Sequence, residues 1–137
     1  MLNIHYLDSL KGVTEENLEG FFVGWPKKPS TKTHLKILQK SSHCILARDE
    51  QGKIVGFITA ITDGVLSAYI PFLEVLPTHR GKGIGTELMK RMLETLKPMY
   101  MIDLLCDQEL ESFYKKFGMK KTTGMMLRNF NNQTGEQ

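Results

Sequence analysis

Apolar residues recur along this chain in two textures, one with a helical period near 3.6 and one alternating with period 2, and the switches between them mark its elements. Residues 3–7 alternate weakly and read as a first strand. Thr14 can cap a short helix, with Glu15 and Glu16 near its positive end. Gly24-Trp25-Pro26-Lys27-Lys28-Pro29-Ser30 breaks the pattern and reads as loop. A second helix is predicted over 31–40, with Leu35 and Leu38 on one face. Strands follow at 44–48 and 53–61, joined by an Asp49-Glu50-Gln51-Gly52 turn. The run from Ile54 to Ile61 is apolar on both faces, as a central strand covered on each side would be.

Asp63-Gly64 signals a type I′ turn into an extended run over 65–76. Pro71 lies inside that run and cannot donate to a ladder, so a bulge or a local loss of pairing is expected there. Ile84, Leu88, Met89, Met92, Leu93 and Leu96 form the apolar stripe of a helix over 83–97, stopped by Pro98. Residues 99–105 are again an apolar strand. Asp107 can cap a last helix carrying Leu110, Phe113, Tyr114 and Phe117, closed by Gly118. A final strand is predicted at 120–127. The order β-α-α-β-β-β-α-β-α-β predicts an α/β fold with a mixed sheet flanked by helices. One domain is expected over 1–128, with a polar, flexible tail over 129–137.

Composition narrows the function classes. A chain of 137 residues buries about 70% of its unfolded surface and needs neither disulfide nor metal to hold together. The net charge of +3 is small and scattered, which argues against nucleic acid but suits a polyanionic small ligand. Cys44 and Cys106 form no CxxC pair, and the four histidines stand apart, so no metal is expected. Cys106 reads as a buried cysteine at a strand end. No basic region followed by an apolar run opens the chain, and no stretch reaches the ~20 apolar residues of a membrane helix. A cytoplasmic location without membrane contact is the expectation.

The candidate chemistry lies where the long strand meets the 83–97 helix, in Val75-Leu76-Pro77-Thr78-His79-Arg80-Gly81-Lys82-Gly83-Ile84-Gly85-Thr86. Three glycines in five positions leave consecutive N–H groups bare at a helix N-terminus, where the dipole favours an anion. Arg80 and Lys82 add positive charge. The prediction is a pyrophosphate cradle. The spacing GxGxG fits neither a P-loop, which needs GxxxxGK[ST], nor a Rossmann GxGxxG. A ligand-free tight turn would need neither the third glycine nor the cations.

Arg80-Gly81-Lys82-Gly83-Ile84-Gly85 resembles the R/Q-x-x-G-x-G/A signature of the GNAT (Gcn5-related N-acetyltransferase) superfamily, and Val75 and Pro77 match its preceding Val-x-Pro. Phe113-Tyr114-Lys115-Lys116-Phe117-Gly118-Met119 is similar to the family's FYxxxGF, with Met119 in place of the usual aromatic. Together with the element order, the resemblance covers nearly the whole chain. It implies that acetyl-coenzyme A is the cosubstrate, that the amides of Arg80, Gly81, Lys82, Gly83, Ile84, Gly85 and Thr86 bind its pyrophosphate, and that its pantetheine arm pairs with the bulged strand around Leu73 and Val75. Amides of that strand would stabilise the developing oxyanion. Tyr114 matches the tyrosine that protonates the departing thiolate.

The acceptor implied is a primary amine on a small molecule or peptide, acylated directly in a ternary complex. A lysine-like amine is only about 1 part in 2,500 neutral at pH 7, so help with deprotonation is expected. Histone-type relatives carry a carboxylate on the long strand where this chain has Tyr69. Glu74 is the nearest carboxylate on that strand, and two readings stand: a base acting through water, or a solvated strand residue. Asp107 stands where relatives often have Asn. Trp25 reads equally as an acceptor contact or a loop anchor. The alternative to an enzyme is a non-catalytic module that binds or senses acyl-coenzyme A. A homodimer, common in the family, has no handle in the sequence.

Overall fold

A computed structural model describes residues 3–136. Five strands form one sheet in the order β1-β2-β3-β4-β5: β1 (His5–Leu7), β2 (His43–Arg48), β3 (Ile54–Thr62), β4 (Ser67–Val75) and β5 (Met101–Asp103). The first four are antiparallel neighbours, and β5 joins β4 in parallel. A parallel neighbour requires a crossover, supplied by α2 (Ile84–Thr95). The other helices are α1 (Thr31–Lys40) and the short α3 (Glu111–Lys115).

The central-strand reading holds, since β3 is the middle strand and is buried from Ile54 through Ala60. Its alternation separates two layers. A Cβ on Gly56 would meet Ile84 and Leu88 of α2 at 3.2 and 3.1 Å, so the missing side chain lets the helix lie close to β3 without displacing those two residues. Phe57, the next residue, points into the opposite layer against Phe21, Phe22 and His34. The predicted α2 stripe is the buried face, with Leu93 partly covered. On α1 the enclosed residues are His34 and Leu38, one turn apart, while Leu35 is half-buried.

Several expectations change. Thr14 opens a single 3-10 turn, Glu15–Leu18, rather than a helix, and its N–H donates to Asn17 Oδ1 at 2.8 Å. Residues 63–66 separate β3 from β4, so a two-residue hairpin is not formed. Instead Asp63 Oδ1 accepts from the amides of Val65, Leu66 and Ser67, which holds that carboxyl down at about 2. The last helix starts as a 3-10 turn, Gln108–Leu110, for which Asp107 supplies its carbonyl to Leu110 N–H but no side-chain cap. Cys106 is exposed, because β5 ends at Asp103 and the chain leaves the sheet before reaching it. The predicted strand at 120–127 pairs with nothing among the described residues, and every residue from 121 to 130 is exposed. Beyond it, Phe130–Asn132 forms a 3-10 turn.

Candidate active site

At the N-terminus of α2 the glycines adopt the conformation that bare amides require. Gly81 and Gly83 have φ of +75° and +84°, and Gly83 is the N-cap with no side chain to satisfy the first turn. Among the described residues the amides of 81–86 donate to no side chain, turn or cap. A Cβ at either glycine would find nothing within 4 Å, so the space in front of these amides is open. A helix N-terminus carries about half a positive charge, and the exposed Lys82 adds to it. Arg80 acts differently from Lys82: its Nε donates to the Val75 carbonyl at 3.0 Å and ties the loop to the end of β4.

The strand beside this loop is bulged and splayed. Ile70 and Pro71 oppose Ala60 alone, since Thr59 pairs with Phe72 and Ile61 with Tyr69. The expected bulge at Pro71 is therefore present. Among the described residues only Ser67, Ala68 and Tyr69 pair with β5, and beyond Pro71 none of them forms a partner strand on that side of β4. Leu76 N–H donates to Val55 O at 2.8 Å, and the Val75–Gly56 and Leu73–Ile58 registers follow from it. In an antiparallel ladder hydrogen-bonded and non-bonded pairs alternate. Leu73 and Val75 therefore turn their main-chain N–H and C=O away from β3 into the gap.

Gly85 links the loop to the last helix. A Cβ there would lie 3.7 Å from Val75 Cγ2 and 3.8 Å from Phe113 Cζ, so the first turn of α2 sits between β4 and α3. Next to Phe113, and edge-on to its ring, Tyr114 is half-buried. It borders a cleft of about 620 Å³ with Tyr69, Leu104, Cys106 and Phe117. Burial, then the neighbouring Cys106, pushes the Tyr114 hydroxyl up to about 12. Burial followed by the carboxylates of Glu111 and Asp107 also raises the Cys106 thiol, which suits neither a nucleophile nor a covalent carrier. Leu73, Val75 and the glycine loop lie outside this cleft.

Glu74 belongs to the opposite face. Its neighbour Val75 faces α2, so Glu74 projects toward the α1 layer. There Oε1 accepts from Phe22 N–H at 2.9 Å and Oε2 from Val23 N–H at 3.2 Å. Phe22 has φ +61°, the one left-handed non-glycine among the described residues. Its ring packs against His34, Trp25 and Phe72 at 5.0, 5.0 and 5.9 Å. Both His34 nitrogens are enclosed without a partner, and burial lowers its pKa to about 4, so the ring is neutral. Trp25 lies over Phe22 and is still 38% exposed, so it anchors the loop and also presents a surface.

The structure thus brings Leu73, Val75, Arg80 and the glycine loop together. Phe113, the neighbour of Tyr114, is the part of α3 that approaches this loop, at Gly85, while Glu74 lies on the α1 side. Sequence reasoning missed the Phe22–Glu74 clasp and the His34 cage; the Phe21-Phe22 pair ahead of a Gly-Trp-Pro loop was the one available signal.

Comparison with known proteins identifies the family to which this fold belongs. The profile of the acetyltransferase (GNAT) family matches residues 10–119. An uncharacterised N-acetyltransferase, ycf52, of Pyropia yezoensis is 32% identical over 124 residues, spanning 85% of this chain and 70% of the relative. A crystal structure of a candidate acetyltransferase from Deinococcus radiodurans superimposes with a TM-score of 0.94 at 43% identity, over 96% of this chain and 92% of the other. A GNAT family acetyltransferase of Streptococcus pneumoniae gives a TM-score of 0.73 at 29% identity, over 94% and 98% of the two chains. Two glycine-loop and tyrosine motifs, a splayed sheet and relatives of this similarity lead to one assignment: the chain belongs to the GNAT family of N-acetyltransferases.

Proposed function

We propose that this enzyme transfers the acetyl group of acetyl-coenzyme A directly to a primary amine of a small molecule or peptide, in a ternary complex and without a metal. The observation that carries the proposal is the row of unengaged amides at 81–86, opening beside the outward-facing main chain of Leu73 and Val75. The cosubstrate would supply an acyl group activated as a thioester. The amides from Arg80 to Thr86 and the Lys82 ammonium bind its diphosphate, as helix N-termini bind anions generally. Arg80 fixes the distance between that grip and β4 through Val75 O. The N–H groups of Leu73 and Val75 bind the arm as a strand would and stabilise negative charge developing on the carbonyl oxygen.

Tyr114 holds the proton for the departing sulfur. With its hydroxyl at about 12 it stays protonated throughout the working range. That value makes it a weak acid against a thiol of pKa about 8.5 in water. The burial that raises the phenol raises a thiolate leaving beside it as well, so the mismatch narrows at the moment of transfer. On the other face Glu74 spends two of its roughly four lone-pair positions on Phe22 and Val23. The remainder are open to a water that passes the amine's proton on to the Glu74 carboxylate. Trp25 and its loop would line the acceptor side. A cytoplasmic location belongs to the same reading.

Thiol release with a panel of amines tests the proposal. Tyr114→Phe should lower kcat about 100-fold or more and leave coenzyme A affinity nearly unchanged. Unaltered turnover would remove Tyr114 from the mechanism. Tight binding with no release on any amine would mean that the chain holds acyl-coenzyme A without transferring it.

A further inference from the structure

The bulge at Pro71 changes which side chains of β4 share a face. Residues 69 and 74 are an odd number apart, so regular alternation would point them to opposite sides. The extra residue in the bulge restores the phase. Tyr69 pairs with Ile61, Phe72 with Thr59 and Glu74 with Phe57. Phe57, Thr59 and Ile61 are alternate residues of β3, and Phe57 packs against His34 of α1. Tyr69, Phe72 and Glu74 therefore all face the α1 layer. One strand further, Asp103 pairs with Tyr69 in the parallel ladder and points the same way.

That face is roofed at one end and open at the other. Phe22 and Trp25 pack on Phe72, beside Glu74. Ile61 and Tyr69 are 56 and 37% exposed, and Asp103 is exposed with them. Tyr69 and Asp103 line the cleft that Tyr114 borders. Among the described residues Asp103 forms no salt bridge, whereas Glu111 on the same cleft is paired with Lys121 at 3.3 Å. Lys115 and Lys120 border the cleft as well, and neither pairs with Asp103. Asp103 and Glu74 thus stand at the two ends of a row floored by Tyr69 and Phe72. From Phe57 to Ile61 is four residues, so the ends are about 13 Å apart along the strands.

We propose, on the reading that this enzyme acylates amines, that Asp103 is a specificity-determining residue and that the acceptor is an elongated dication. One nitrogen reacts beside Leu73, and the second, as an ammonium, sits on the Asp103 carboxylate over the Tyr69 ring. Leu73 pairs with Ile58, three residues from Ile61, which sets Asp103 about 10 Å from the reacting nitrogen. That is too far to take its proton, a task that falls to the Glu74 side. It suits a second charge several bonds away along an unbranched chain. An ammonium there gains a charge-assisted hydrogen bond and the face of a phenol ring. A compact amine reaches only one end of the row and forgoes both.

Calorimetry with cadaverine and pentylamine, which share a five-carbon chain and differ by one ammonium group, tests this on protein saturated with coenzyme A. Cadaverine should bind about fivefold tighter, the contribution of one exposed ion pair, and the preference should shrink in high salt. Asp103→Asn should abolish the preference, and Asp103→Glu should keep most of it. In turnover, Asp103→Asn should raise KM for cadaverine about fivefold, with the change confined to KM. Equal affinity for the two amines, no binding of either, or a preference that survives in Asp103→Asn would overturn the proposal. So would a fall in kcat on both amines in that variant, since Asp103 would then be a proton acceptor. Failure of coenzyme A to bind is read in its own titration and bears on acyl transfer instead; the amine comparison is then made on the free protein.

Discussion

Two stretches of this chain present consecutive amides from a left-handed backbone. At 81–86 the left-handed residues are glycines, the space in front is open, and no group among the described residues takes the donors. At 22–23 the left-handed residue is Phe22, held in a position that glycine usually occupies, and both amides are closed on the carboxylate of Glu74. The backbone device is the same anion nest. One nest receives its anion from the chain itself and becomes a clasp between β4 and the Trp25 loop. The other is left without one and can take an anion only from outside. Whether a nest is a joint or a binding site is decided by the nearest carboxylate rather than by the local fold.

Closing the open nest should have the largest effect. Gly83→Val puts a branched side chain at φ +84° where the protein itself offers no obstacle, so the change acts on the loop conformation and on the ligand's approach. Two lost charge-assisted hydrogen bonds, at about 1.5 kcal/mol each, correspond to a loss of coenzyme A affinity on the order of 100-fold. Calorimetry would measure that loss while circular dichroism checks that the fold is retained. Equal affinity in the variant would mean that the amides at 81–86 are not the grip.

Opening the closed nest comes next. Glu74→Ala leaves the Phe22 and Val23 amides without their acceptor and should cost about 2 kcal/mol, read as a lower midpoint in urea. The effect should concentrate in faster amide exchange at 22–25, with coenzyme A affinity unchanged. Glu74→Gln then separates clasp from proton relay. It retains one acceptor oxygen, so stability falls less, whereas a lost relay lowers kcat and changes the pH dependence of turnover.

The smallest effect tests the packing under the clasp. His34 has a folded pKa near 4 against an ordinary 6.5, so the folded state disfavours its charge and the unfolded state takes the proton first. Its penalty is absent above pH 6.5 and grows as the pH falls toward 4. From pH 7 to 5.5 it should reach about 1 kcal/mol, and His34→Leu should flatten that part of the stability profile. An unchanged slope in the variant would move the pH sensitivity elsewhere.

Much of this arrangement is legible in the sequence because it is local. The α1 boundaries, the α2 stripe, the buried run of β3 and the bulge at Pro71 each follow from periodicity or from proline's missing donor. The glycine loop is legible for the same reason, since φ and bare amides are properties of the residues that carry them. The clasp was not, because its partners are 51 and 52 residues apart and nothing near Glu74 announces them. Nor was the fate of 120–127: alternation and apolar content specify a strand, but whether it pairs depends on geometry set elsewhere. Cys106 was misread as buried because the sheet contact of β5 ends at Asp103, two residues before its apolar run does.

The central claim is that the amides of 81–86 hold a diphosphate that the chain does not supply. Titrating the purified protein with coenzyme A in a calorimeter, at low and at high salt, tests it most directly. One site per chain, weakened by salt and lost in Gly83→Val, is the predicted result. No heat of binding with coenzyme A or acetyl-coenzyme A would contradict it.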